Sequence, residues 1–287
     1  MPLTTVPVPA APLGGDGVKA GRFLAFDTST ERMSIAVCDG ARLWQHEGAG
    51  AAQSSATLIP AILQLMSSAG LRLDQLGAIA FGRGPGSFTG LRTACAVAQG
   101  LALGAGVAVL PIDTLLAVAE EARFQWTLTH PDQTGPQRIT ALLDARMDEM
   151  YVQHFSLAGG ACQALAPCAL LKPEALQWPA PAHTQSPGFS LIAGNVFEVY
   201  AARLPALPPG SDCLKLLPSA SAMLRLAPGL AAAGALREAA QALPLYVRDK
   251  VALTTDERDQ AKRQLAQTAQ TAQTAQEAQQ ASPARPA

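Results

Sequence analysis

No run of about 18 apolar, uncharged residues free of proline and glycine occurs in this 287-residue chain, so no membrane span is expected. A basic excess is missing too. The formal net charge is -1, whereas a surface that grips nucleic acid on its own draws most of its affinity from lysine and arginine. The cysteines, Cys38, Cys95, Cys162, Cys168 and Cys213, include no C-x-x-C pair of the kind that binds zinc or cycles thiols. Cys38 and Cys95 lie in apolar runs and read as small core residues. The histidines, His46, His130, His154 and His183, show neither i, i+4 pairing nor H-E-x-x-H, which argues against a metal site. A Gly-Lys-Ser/Thr phosphate loop and a Gly-x-Ser-x-Gly hydrolase elbow are absent. The first 21 residues lack the basic start and continuous apolar stretch of a secretory signal. With an odd cysteine count, that fits a reducing cytoplasm.

Apolar residues make up 49% of the chain, enough for sizeable buried cores. Residues 1–21, rich in Pro, Ala and Gly, read as a flexible extension. FLAFD (23–27), MSIAVCD (33–39) and ARLWQHE (41–47) read as an antiparallel meander. Met33, Ile35 and Val37 alternate with Ser34 and Ala36, and Asp39-Gly40 supplies a turn. The period then changes. Leu58, Ile62, Leu65, Met66 and Ala69 recur at helical spacing over 55–69. Ser54 or Ser55 suits the cap, Pro60 introduces a kink, and Gly70 stops the helix. LGAIAFG (76–82) reads as a buried strand, 87–104 as a helix, VAVLPI (107–112) as a strand and 113–123 as a third helix. The polar stretch 126–137 reads as a linker.

The order then restarts. RITALLDA (138–145), EMYVQHFSL (149–157) and a weaker run near 162–171 suggest a second meander, followed by a short helix at 172–177 and the strand SLIAG (190–194). Two α/β units are predicted, 22–125 and 138–255. Each is a βββαβα unit of the actin-like, Hsp70-like (ASKHA), ribonuclease-H-like kind. The Gln/Ala-rich stretch 256–287 has almost no apolar side chain larger than alanine and is expected to be disordered.

The most informative segment is FGRGPGSFTGLRTACAVAQGLALG (81–104). Glycines between a strand and a helix permit tight turns, and the unpaired N–H groups of a helix start attract anions. The glycine spacing matches neither the Walker loop nor the dinucleotide fingerprint. Either a phosphate or a tight turn accounts for it. DTSTE (27–31) ends the first strand, where actin-like ATPases place a metal-orienting Asp and a glycine-bearing phosphate turn. Thr28, Ser29 and Thr30 stand there instead, which favours a capped turn. A phosphate or cofactor site would use Asp27, Thr28, Gly86, Ser87 and Thr89. On the second helix, Ala94, Ala98 and Ala102 form a small-residue stripe that suits packing on the sheet or against another subunit.

FLAFDTSTERMSIAV, FGRGPGSFTGLRTACAVAQGLALG, LLDARMDEMYV and PLYVRDKVA, in that order over 23–252, closely resemble the TsaB (YeaZ) family. The family is similar in fold to TsaD, the catalytic subunit that puts a threonylcarbamoyl group on tRNA adenosine. TsaD holds its metal with a His-x-x-x-His pair. The matching stretch here, Pro111 to Ala117, contains no histidine, and one Asp does not hold a first-row metal. The resemblance therefore implies a non-catalytic scaffold in the cytoplasm. It would carry no cofactor itself, with ATP and a metal ion on partner subunits. It would pair with TsaD and TsaE, reach tRNA through the complex, and form a homodimer when alone. The threonylcarbamoyl group would come from threonylcarbamoyl-AMP. The resemblance also implies a partner face on the first two helices: Leu58, Ile59, Ile62, Leu63 and Met66 on one, Leu91, Ala94, Cys95, Ala98 and Ala102 on the other. Gln53 stands where many family members have histidine. An ATP-dependent kinase of the same superfamily and a metalloprotease are the competing readings. The first needs intact phosphate turns in both halves, and the second needs the missing histidines.

Overall fold

A computed structural model describes residues 4–7, 21–132, 135–158, 160–179 and 189–248. The alternation at Met33, Ile35 and Val37 forms a strand, and the intervening Ser34 and Ala36 are buried as well. Helices therefore cover both faces of the sheet. The first half comprises β1 (Thr4–Pro7), β2 (Arg22–Asp27), β3 (Arg32–Asp39), β4 (Arg42–Ala49), α1 (Ser54–Ala69), β5 (Ala78–Gly84), α2 (Phe88–Ala105), β6 (Ala108–Asp113) and α3 (Thr114–Thr129). The second half comprises β7 (Arg138–Arg146), β8 (Glu149–Ala158), β9 (Ala161–Ala164), β10 (Ala169–Leu171), β11 (Ser190–Gly194), α4 (Phe197–Tyr200), β12 (Ser211–Lys215) and α5 (Ala220–Ala232).

The first sheet runs β1-β4-β3-β2-β5-β6 and the second β10-β8-β7-β11-β12, with β9 also on β8. Setting β1 and β9 aside, the two orders coincide. In each, an antiparallel meander leads into two parallel strands. This is the duplicated α/β unit expected from the sequence, with its helices shortened in the second copy. A 3-10 turn at Pro173–Ala175 stands where α1 does, and the single turn α4 stands where α2 does.

Leu24, Phe26, Met33, Ile35 and Val37 meet α1 and α2 on one face of the first sheet. Phe23, Ala25, Ala36, Ala78 and Ala80 meet Met223, Leu224 and Ala227 of α5 on the other. Conversely, Leu115, Val118, Ala119, Ala122 and Trp126 of α3 cover Ile139, Ala141, Leu143 and Leu191 of the second sheet. Each half thus lends its last helix to the other half's sheet.

The structure departs from the sequence reading in four places. Helix α3 continues through Thr129, into the stretch taken as a linker, because Trp126 is buried against Phe189 with ring centroids 5.2 Å apart. Neither Ser54 nor Ser55 caps α1. The N-cap is Gln53, and the Ser54 hydroxyl donates to the Ala51 carbonyl at 2.6 Å. Thr4–Pro7, within the extension taken as flexible, pairs with Arg42–Gln45. Strand β12 and helix α5 were not anticipated. The 256–287 tail lies outside the described residues. Among the described residues, no helix is long and apolar enough to cross a membrane.

Candidate functional site

Two features singled out in the sequence meet at the ends of β2 and β5. The first is the DTST turn. Asp27 ends β2 fully buried, and its Oδ1 accepts hydrogen bonds from the Ser29 N–H at 2.9 Å and the Ser29 hydroxyl at 2.6 Å. Its Oδ2 lies over Gly82 of β5, where any Cβ would overlap it. Neither Oδ2 nor the buried Thr114 hydroxyl at the start of α3 has a partner within hydrogen-bond distance. Burial pushes the Asp27 carboxyl above the usual carboxylate range, against the opposing pull of Ser29, the nearby Thr114 hydroxyl and Arg32.

The second feature is the glycine loop before α2, which is pressed onto that turn. The Ser87 N–H donates to the Ser29 carbonyl at 2.7 Å, and the Thr28 hydroxyl donates to the Gly90 carbonyl at 2.7 Å. A Cβ at Gly86 would overlap Ser29, and one at Gly90 would overlap the Thr28 carbonyl. The glycines therefore serve close backbone approach between the two loops. Thr28 and Ser29 are buried, and of the five candidate ligand residues only Thr89 is exposed. Of the groups that would cradle a phosphate, the Thr28 hydroxyl and the Ser87 N–H are already bonded between the two loops. Among the described residues, no group of three His, Cys, Asp or Glu is placed to hold a metal ion.

The loop is also held from outside by a segment whose role the sequence reading left open. The Leu245 N–H donates to the Arg83 carbonyl at 2.7 Å, and a Cβ at Gly84 would overlap the Leu245 carbonyl. Tyr246 stacks on Phe88 at 5.4 Å, and its hydroxyl accepts from Arg92 Nε at 3.1 Å. Both residues come from PLYVRDKVA, so the motif itself carried the signal.

The expected partner face divides. Leu58, Ile62, Leu65 and Met66 of α1, and Leu91, Ala94, Cys95, Ala98 and Ala102 of α2, are buried inside the chain's own core. The resemblance put the alanine stripe on the partner face; the structure buries it against the chain's own sheet, the other of the two environments that the residues themselves allowed. The residues are small because α2 packs closely on β5. What α1 does present outward is Ile59, 43% exposed, and Leu63, 52% exposed. On α2, Ala96, Gly100 and Leu103 are exposed.

A sequence profile described as TsaD, tRNA N6-adenosine threonylcarbamoyltransferase, matches residues 49–254. The chain is 32% identical to the tRNA threonylcarbamoyladenosine biosynthesis protein TsaB of Escherichia coli (strain K12), over 80% of this chain and 96% of that protein. It is 38% identical to the Haemophilus influenzae protein of the same name, over 45% of this chain and 51% of that one. Among solved structures, YeaZ from Pseudomonas aeruginosa superposes with a TM-score of 0.68 at 36% identity, covering 79% of this chain and 99% of that one.

Proposed function

The chain belongs to the TsaB family, and from that premise we propose that it is the non-catalytic scaffold of a complex making N6-threonylcarbamoyladenosine in tRNA. Its partners are a TsaD catalytic subunit and the TsaE ATPase, in the cytoplasm. The observation that carries the non-catalytic reading is the closure of the two loops. The Thr28 hydroxyl is bonded to the Gly90 carbonyl, the Ser29 hydroxyl to Asp27, and the Ser87 N–H to the Ser29 carbonyl, so these groups are already committed within the protein. The carboxylate that would orient a metal is sealed over Gly82.

A scaffold needs a face. Ile59 and Leu63 expose apolar surface one helical turn apart on α1. The chemistry then resides in the partner, and this chain holds that partner in its active arrangement. Reconstitution tests the proposal. TsaD and TsaE from the same organism, with tRNA, ATP and threonylcarbamoyl-AMP, are assayed for the modified nucleoside by mass spectrometry of digested tRNA. Product is expected only when this chain is added. Product from this chain without TsaD, or undiminished product without this chain, overturns the proposal.

A further inference from the structure

A cavity of about 670 Å3 lies at the seam of α3 and α5, beside the β9 strand and the start of β2. It is remote in the fold from the closed loops, which sit at the opposite ends of β2 and β5. Its walls are mostly apolar, with Phe23, Leu116, Phe124 and Leu230 among them. One polar cluster borders it, and the bonding of that cluster is lopsided. Both oxygens of Glu120 are taken: Oε2 by Arg123 Nε at 2.7 Å, and Oε1 by Arg123 Nη2 at 2.8 Å and Arg225 Nε at 3.0 Å. Both oxygens of Glu121 are taken by Gln125, Ser219 and Arg225. Both oxygens of each carboxylate are thus engaged. Nη1 of Arg123 and Nη1 of Arg225, four N–H donors by the chemistry of guanidinium, make no bond within the cluster. Arg225 is steadied by Phe124, its guanidinium 3.9 Å from the ring centroid.

From this we infer that the cavity binds a small amphipathic monocarboxylate, with its aliphatic body against the apolar walls and its head on the spare guanidinium donors of Arg123 and Arg225. The reasoning is one of complementarity. A cluster in which every carboxylate oxygen is engaged while two guanidinium nitrogens are free recognises an acceptor. Two carboxylates already balance the two guanidiniums, so a single added charge is tolerated better than the double charge of a phosphate monoester. The walls desolvate an alkyl chain favourably and a sugar or nucleotide unfavourably. Cavities of this size and lining are typical of ligand sites between packed units. Because α3 and α5 each cover the other half's sheet, an occupant of their seam touches both halves at once.

The test is calorimetric titration of the full chain with decanoate. One saturable site is expected. Decanol, which keeps the chain but loses the carboxylate, is expected to bind about tenfold more weakly, the value of a charged hydrogen bond. Decyl phosphate should also bind more weakly than decanoate. Gly229, in the lining on α5, has open space where a Cβ would stand. Gly229→Phe therefore adds a ring there without backbone overlap and should abolish the site, while Leu63→Glu on α1 leaves it intact. Ala233→Phe, at another exposed position in the same lining, replaces Gly229→Phe if circular dichroism shows that variant unfolded. Absence of decanoate binding, equal binding of decanol, or undiminished binding to a folded ring variant overturns the inference.

Discussion

Thr28 and Gly90, 62 residues apart, are joined by a hydrogen bond of 2.7 Å from the threonine hydroxyl to the glycine carbonyl, with no room for a side chain on the glycine. Gly90→Ala drives a methyl into the Thr28 backbone carbonyl, which no rotamer relieves. A loss of about 3 kcal/mol is expected, at the upper end for overpacking. Thr28→Val keeps the shape but leaves its buried position without the bond, at about 1 kcal/mol. Urea unfolding of the two variants checks the order. A Gly90→Ala chain as stable as the parent means that the loops are not in contact.

Asp27 provides a pH test. Its folded-state carboxyl is raised by burial. Below the ordinary carboxylate value both folded and unfolded chains are protonated there, and the group costs nothing. As pH rises past that value the unfolded chain ionises first, so this residue lowers stability progressively until the folded carboxyl also ionises. Asp27→Asn keeps an acceptor for Ser29 and removes the titration. The stability of the Asn variant relative to the parent should therefore rise as the pH is raised above about 4, the ordinary carboxylate value. A relative stability that is flat or falls over that range shows an ionised carboxylate stabilised in the folded chain.

The division of the α1 and α2 faces gives a third test. Ile59→Glu and Leu63→Glu change exposed positions and should shift stability by no more than about 0.5 kcal/mol. On the proposed function they also weaken TsaD binding by several kcal/mol, because an unpaired carboxylate becomes desolvated in the contact. Ala98→Glu, 0% exposed, should not fold. Size-exclusion co-elution with TsaD, alongside circular dichroism, separates the outcomes. Folded Ile59→Glu and Leu63→Glu chains that co-elute like the parent place the partner elsewhere.

The strap over the glycine loop is tested by where the chain stops. Ending it at Arg248 keeps the Leu245 bond to Arg83 and the Tyr246 stack on Phe88. Ending it at Ala242 removes both, at about 1 kcal/mol each, or about 2 kcal/mol together. Equal melting temperatures for the two truncations would show that the strap does not hold the loop.

Local pattern carried the sequence reading as far as local pattern decides. The period of two at Met33–Val37 and the helical recurrence from Leu58 to Ala69 each found their element, although only the helix buries a single stripe and the strand is covered on both faces. Trp126 to Thr129 went unread because threonines beside a tryptophan are no helix signal. What extends α3 is the fit of Trp126 against Phe189, more than sixty residues on. Helix α5 hid behind Pro228 and Gly229, and β12 behind mostly exposed residues with no alternation. The glycine loop was legible as a place of close approach, but what it approaches was not. A phosphate and the Thr28 carbonyl both require glycine. Ala94, Ala98 and Ala102 suited two environments in the same way, since a small side chain records closeness without naming the neighbour.

The lending of α3 and α5 between the halves has a consequence for how the protein is made. The sheet face built by Phe23, Ala25, Ala36, Ala78 and Ala80 is covered by α5, which is synthesised about 100 residues after β6, on the order of ten seconds later at typical elongation rates. Throughout that interval the nascent first half carries a finished but uncovered apolar sheet outside the ribosome. A message broken before Ala220 therefore yields no stable half-protein, only a chain with one bare face and a natural client for holding chaperones.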